Sequence, residues 1–292
     1  VLIMRYYTIV TDSSCDLPAP LLEKMGIRVV PLAVNLDGKT YFNYPDGRAI
    51  GFEEYYAQLR SGKQATTSAV NMSLFRTVME AELIAGHDVL YLGFSSGLSG
   101  TFNAGAMAAR ELQEEYPEFE LIAVDTLCAC MGQGLLVYLA ALEKAGGKSM
   151  HEVRDFVEAQ KLHICHWYTV DDLQHLKRGG RIGGTTARLG TMLNIKPVMN
   201  MDNEGKLAAV SKARGRAAAL RALVDKMGEQ AIEPEKQTVF IAHADCYDDA
   251  HKVAEMIHER FGSKSLINYI GPVIGAHAGP GTVALFFVGK ER

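Results

Sequence analysis

The sequence predicts an α/β protein of two domains, and three observations carry that expectation. Short β-branched and aromatic runs alternate with helical patterns through the first half, which implies a mainly parallel sheet flanked by helices on both faces. At 292 residues the chain exceeds the roughly 100–200 residues of an ordinary single domain. Beyond Gly146-Gly147-Lys148-Ser149 the alternation loosens, and the second half reads as a mixed sheet with helices mainly on one side. The expected division is an N-terminal α/β domain over residues 1–160 and a C-terminal α/β domain over residues 161–292.

Element by element, Tyr6–Thr11, Ile27–Val34, Asp88–Phe94 and Phe119–Val124 read as strands of the first sheet. Helices are expected near Ala19–Met25, Phe52–Leu59, Leu74–Ala85, Thr101–Glu115, Gly132–Ala145 and Met150–Lys161. The second half offers strand Ile164–Val170, helix Asp171–Lys177, a glycine-rich turn, and paired strands around Lys196–Asn200 and Lys206–Ala213. Helix Arg214–Met227, strand Thr238–His243, helix Asp248–Arg260, strand Leu266–Ile270 and closing strand Val283–Val288 follow. The opening Val1-Leu2-Ile3-Met4 is too short for a signal-peptide core and reads as a lead-in to the first strand. No run approaches the roughly 18 apolar residues of a membrane span.

Composition narrows the function classes. A formal charge of −4 gives no general attraction to polyanions, so nucleic acid is not an expected partner. Five scattered cysteines, an odd number, suggest reduced thiols and a cytoplasmic location. Cys128-Ala129-Cys130 is neither a redox pair nor a zinc half-site, and His163, Cys165 and His166 lack a matching second half, so no metal is expected. Lys148-Ser149 after Gly147 imitates the end of a P-loop, but the first glycine position is Leu142, so no nucleotide cofactor is expected either.

Three stretches carry chemistry. Loops beyond the carboxyl ends of strands are the usual ligand positions in such sheets, and four of them are rich in hydroxyls: Thr11-Asp12-Ser13-Ser14, Thr66-Thr67-Ser68, Ser95 to Thr101, and Asp125-Thr126. Any one such loop is ordinarily a helix cap. Ser95-Ser96-Gly97-Leu98-Ser99-Gly100-Thr101 holds more than a cap needs, and its glycines let backbone amides approach a carboxylate or phosphate oxygen. No histidine is placed by sequence as an obvious base, which leaves only a spatial pairing with His277 to make a nucleophilic serine. Between Asp171 and Arg221 lie ten Lys/Arg against four Asp/Glu and no aromatic residue, either a solvated basic face or a surface for phosphate or an acidic partner. There Arg181 would be held by the glycine turn and flanked by Arg214 and Arg216. In Ile270 to Gly281, glycines and prolines fix an unusual backbone whose single polar side chain is His277, able to donate to a carboxylate and to titrate near working pH.

Together with Ile9-Val10-Thr11-Asp12-Ser13-Ser14, these stretches resemble the DegV family of bacterial fatty-acid-binding proteins. The resemblance runs from the first strand to Phe286-Phe287-Val288-Gly289, and its most specific pieces are Ser95–Thr101, Lys177–Ile182, Leu193–Pro197 and Gly271–Gly281. It implies a DegV-like pair of α/β domains with a lipid tunnel, in a protein similar to the binding subunit of fatty-acid kinase. Such a subunit shields a long-chain fatty acid and presents the carboxylate to a separate ATP-binding subunit, which makes acyl phosphate. By motif, Thr67 and Ser96 would bind the carboxylate with His277 beside it, and Ser68, Ser95 and Ser99 are further candidates. Arg181 and Arg214 would face the partner or the transferred phosphate, with His277 and Arg181 assisting transfer in the complex. The resemblance implies no complete catalytic centre in this chain, no membrane span, and at most a transient contact with a membrane surface. Two departures bear on pocket shape: Ala69-Val70 stands where the family commonly has Gln-Pro, and Asp125-Thr126-Leu127 where it has Asp-Ser-Lys. A stand-alone phosphotransferase related to dihydroxyacetone kinases and a non-lipid regulatory module are the alternatives.

Overall fold

The structure is a computed structural model and describes residues 5–68, 71–183 and 194–292. The expected lead-in at residues 1–4, the Ala69-Val70 departure and Leu193 lie outside the described residues.

In chain order the first half runs β1 (Tyr7–Asp12), α1 (Ala19–Lys24), β2 (Arg28–Val30), β3 (Ala33–Leu36), β4 (Lys39–Phe42), α2 (Phe52–Arg60), β5 (Ala65–Thr67) and α3 (Met72–Ile84). It continues with β6 (Asp88–Gly93), α4 (Thr101–Glu115), β7 (Leu121–Asp125), α5 (Cys130–Ala145) and α6 (Met150–Gln160). The second half comprises β8 (Ile164–Thr169), α7 (Gln174–Arg178), β9 (Ile195–Met201), β10 (Leu207–Arg214), α8 (Arg216–Gln230), β11 (Thr238–His243), α9 (Tyr247–Phe261), β12 (Lys264–Tyr269), α10 (Pro272–Ala278) and β13 (Val283–Val288).

The first sheet is parallel throughout, in the order β2-β1-β6-β7. All residues of β1 and β6 are buried, as strands covered on both faces must be. Helices α3 and α4 pack together on one face, and α5 and α6 pack together on the other. The large sheet, in the order β10-β9-β8-β13-β11-β12, takes its strands only from residue 164 onward and is mixed, with β11 parallel to β12 and antiparallel to β13. Its own helices α8 and α9 cover one face, and α5 from the first half covers the other.

Helix α5 is thus sandwiched between sheets, and its sequence shows why it can be. It is apolar nearly all round, as a fully buried helix should be. Gly132 and Gly134, about 200° apart on the helix, serve its two sides. A Cβ at Gly132 would sit 2.2 Å from His166 Nε2 on β8, and one at Gly134 would sit 2.5 Å from the Cys15 carbonyl beyond β1. The resulting core is continuous from Ile9 and Tyr91 through Leu136 to Tyr168 and Phe286.

Three expectations required correction. Ile27–Val34 is not one strand. Pro31 supplies no N–H, Leu32 N–H donates to Ser13 Oγ at 2.9 Å, and the chain leaves the parallel sheet to enter a small antiparallel one, β4-β3-β5. The Thr66-Thr67-Ser68 loop is not a helix cap. Ala65–Thr67 forms β5, with Thr67 opposite Val34, while α3 is capped by Asn71. The glycine- and proline-rich stretch near the end is not irregular: Pro272 at the first turn and Gly279 after the last residue bracket the helix α10. Among the described residues no helix is long and apolar enough to cross a membrane, and all five cysteines are free.

Candidate functional site

A cavity of about 650 Å³ opens where the three sheets meet. Its wall is mostly apolar: Met72 and Phe75 from α3, Ala104 from α4, Val273 and Ile274 from α10, and Tyr168 and Phe286 from the large sheet. Phe42 and Met107 also line it and are 39% and 44% exposed, so an apolar rim connects it to the surface. A mostly apolar concavity with a few convergent polar groups is the form of a small-molecule site.

The polar groups gather around His277. Helix α10 packs against β5 and α7, which brings residues 67 and 277 together across 210 positions of chain. Thr67 Oγ1 lies 3.0 Å from His277 Nε2. The other ring nitrogen, Nδ1, is buried with no hydrogen-bond partner among the described residues and abuts Gly179, where a Cβ would stand only 2.2 Å away. Glycine at 179 is therefore required by the close approach of the ring. Burial, and secondarily the Arg181 guanidinium, lower the His277 pKa to about 4. The imidazole is thus neutral at working pH, which corrects the expectation that it would titrate there. With its proton on Nε2, it donates to Thr67 Oγ1 and leaves the threonine proton free for an acceptor in the cavity.

Arg181 also lines the cavity and ties two loops together: Nε donates to the Leu98 carbonyl at 3.3 Å, and Nη1 donates to the Gly179 carbonyl. In the serine-rich loop, Ser99 and Thr101 line the cavity with their hydroxyls 2.8 Å apart. Ser68 lines it too, and its Oγ accepts from Asn35 Nδ2 at 2.8 Å. Among the described residues no group of three His, Cys, Asp or Glu is placed to hold a metal ion.

Comparison with known proteins identifies the family and the fold. The family model described as "Uncharacterised protein, DegV family" matches residues 7–290. The chain belongs to the DegV family. A DegV domain-containing protein of Clostridium perfringens is 44% identical over 290 residues, covering 99% of each chain. Two solved DegV structures superpose closely. One, from Thermus thermophilus, concerns the fatty-acid binding of a DegV family protein; it is 33% identical, covers 97% of this chain and 99% of that one, and has a TM-score of 0.86. The other is DegV of Bacillus subtilis, a fatty acid binding protein, 27% identical, covering 98% of this chain and 100% of that one, with a TM-score of 0.84.

Within this DegV chain, Thr67, Ser68, Ser99, Arg181 and His277 line the cavity, whereas Ser95, Ser96 and Arg214 do not. Ser95 is buried for another purpose: its hydroxyl donates to the Gly205 carbonyl at 2.7 Å and seats the β9–β10 turn. Ser96 is exposed, with its backbone N–H on Asp125 Oδ1. Arg214 is exposed at the end of β10, and Arg216 is engaged with Asp249, Asp171 and the Gly281 carbonyl. The DegV loop thus turns its last hydroxyls inward, not its first two. Thr101, part of the same hydroxyl-rich stretch but not singled out by the sequence, also lines the cavity as the first residue of α4. His166 also lines the cavity, but both its nitrogens are engaged, with Ala129 N–H and the Ile164 carbonyl.

Proposed function

We propose that this chain holds a long-chain fatty acid in the cavity, with its carboxylate at Thr67, and presents it to a separate ATP-dependent kinase subunit for acyl-phosphate formation. The observation that carries the reading is the Thr67–His277 pair set in the wall of a mostly apolar enclosure. The fatty-acid-binding relatives support the ligand class.

The physics fits a carrier. Each methylene taken from water contributes about 0.8 kcal/mol, so an acyl chain with roughly 14 of them supplies on the order of 11 kcal/mol before association costs. Affinity comes from the tail, and the head needs orientation. Neutral donors, the Thr67 hydroxyl backed by the His277 N–H, offset carboxylate desolvation without locking it in a tight ion pair. The oxygen stays nucleophilic toward the terminal phosphate of ATP held by the partner. On this reading Arg181 stabilises charge developing in transfer, Ser99 takes the place first given to Ser96, and exposed Arg214 meets the partner.

Mass spectrometry of lipid extracted from freshly purified protein should find a long-chain acid. Thr67→Val, which keeps the side-chain shape and removes the hydroxyl, should weaken binding of a free fatty acid about tenfold. An extract without fatty acid, together with unchanged affinity in Thr67→Val, would overturn the assignment.

A further inference from the structure

We propose that Asp16, Tyr55 and Tyr56 are positioning residues for the head-group site, forming a three-point clamp on the chain that enters α10 and so fixing His277 against Thr67. The inference rests on the fatty-acid reading and adds residues that do not touch the ligand.

Three consecutive residues at the start of α10 each give one backbone group to a buried side chain from the first half of the sequence. Tyr56 Oη donates to the Ile270 carbonyl at 2.5 Å, Gly271 N–H donates to Asp16 Oδ1 at 3.0 Å, and Tyr55 Oη donates to the Pro272 carbonyl at 2.9 Å. The two tyrosines are fully buried and meet edge to face, with ring centroids 5.2 Å apart. Two glycines of the clamped segment are shaped to it. A Cβ at Gly271 would lie 2.5 Å from Asp16 Oδ1, and one at Gly275 would lie 2.3 Å from Tyr56 Oη. Asp16 is doubly engaged, since its carbonyl also accepts from Asn268 Nδ2 at 2.8 Å.

The clamp matters because of where its other end is attached. Tyr55 and Tyr56 sit on α2, and only residues 61–64 separate α2 from β5, which carries Thr67. The same short unit that holds Thr67 therefore holds the helix that presents His277, six residues after the clamped Gly271. Without the clamp, the 3.0 Å contact would depend on the packing of a seven-residue helix that also ends at a glycine. Buried, well-aligned hydrogen bonds of this kind restrict a site to one geometry. Burial pushes the Asp16 carboxyl up to about 8, so at neutral pH it is mainly the uncharged acid, for which asparagine is a close substitute.

The test compares palmitic acid with hexadecanol on delipidated protein, since the two share a tail and differ in the head. Wild type should prefer the acid. Tyr56→Phe and Asp16→Leu should each reduce that preference about fivefold, as expected for a displaced hydrogen-bond partner, while hexadecanol affinity stays within twofold. Asp16→Asn should restore the wild-type preference. If Asp16→Leu does not fold, the Tyr55→Phe/Tyr56→Phe double variant, which keeps ring volume, carries the test. A preserved preference in the tyrosine variants, or an equal loss of acid and alcohol binding, overturns the clamp. A wild type that binds both equally overturns the carboxylate site itself, and the clamp falls with it.

Discussion

Two short hydroxyl-rich stretches, Thr11-Asp12-Ser13-Ser14 at the end of β1 and Thr66-Thr67-Ser68 at the end of β5, have opposite fates. In the first, every polar side chain is used by the scaffold: Thr11 Oγ1 donates to the Leu92 carbonyl, Ser13 Oγ accepts from Leu32 N–H, and Ser14 Oγ lies within hydrogen-bond distance of both Asp12 Oδ1 and Gln133 Oε1. Asp12 itself accepts from Ser14 N–H and Oγ, Gln133 Nε2, Tyr91 Oη and Phe94 N–H. In the second, Thr67 Oγ1 has a single partner among the described residues, His277, and faces a cavity. Hydroxyl content alone therefore does not identify a ligand site. What matters is whether internal partners consume the hydroxyls first.

That contrast can be broken or sharpened by four measurements. The largest effect is expected for Asp12→Ala, which strands several buried donors and should cost about 3–5 kcal/mol in urea unfolding. Any loss of fatty-acid affinity in that variant should track unfolding. Next comes the pH dependence of stability. The unfolded imidazole titrates near 6.5 and the folded His277 near 4, so between those values only the unfolded chain binds the proton. The His277 contribution is therefore complete above about pH 6.5 and is lost as pH falls toward 4, on the order of 2 kcal/mol once partial exposure is allowed for. Subtracting the unfolding profile of His277→Gln from that of wild type isolates this term, and a flat difference would contradict the assigned burial.

Gly179→Ala is a smaller perturbation: its methyl would displace the His277 ring and should weaken fatty-acid binding about tenfold, at a cost of about 1 kcal/mol in unfolding. Smallest is Ser96→Ala. Its side chain is exposed and off the cavity wall, so affinity and stability should both change by less than about 0.5 kcal/mol. A large loss of acid binding there would restore Ser96 to the site and displace Ser99.

Much of the fold was legible because its signals are local. The buried runs of β1 and β6, the capping box at Ser149 and Glu152, and the apolar character of α5 all act within a few residues. Where reading failed, a local signal had two meanings. Pro31 was absorbed into a β-branched run, and Pro272 with Gly279 read as irregular backbone although the same pair marks a helix start and stop. Of the residues singled out by type and motif, Thr67, Ser68, Ser99, Arg181 and His277 line the cavity, whereas Ser95, Ser96 and Arg214 do not.

By itself the sequence determined the order and type of most elements, the family, and the short set of polar residues from which a head-group site could be drawn. Which of them meet was decided by tertiary structure. Thr67 and His277 are 210 residues apart, and their 3.0 Å contact requires α5 to seat two sheets at glycines 132 and 134 and requires α10 to rest on β5. Periodicity and capping act over a few residues, but the partner that claims or spares a hydroxyl arrives from distant chain through packing, so no local pattern encodes it.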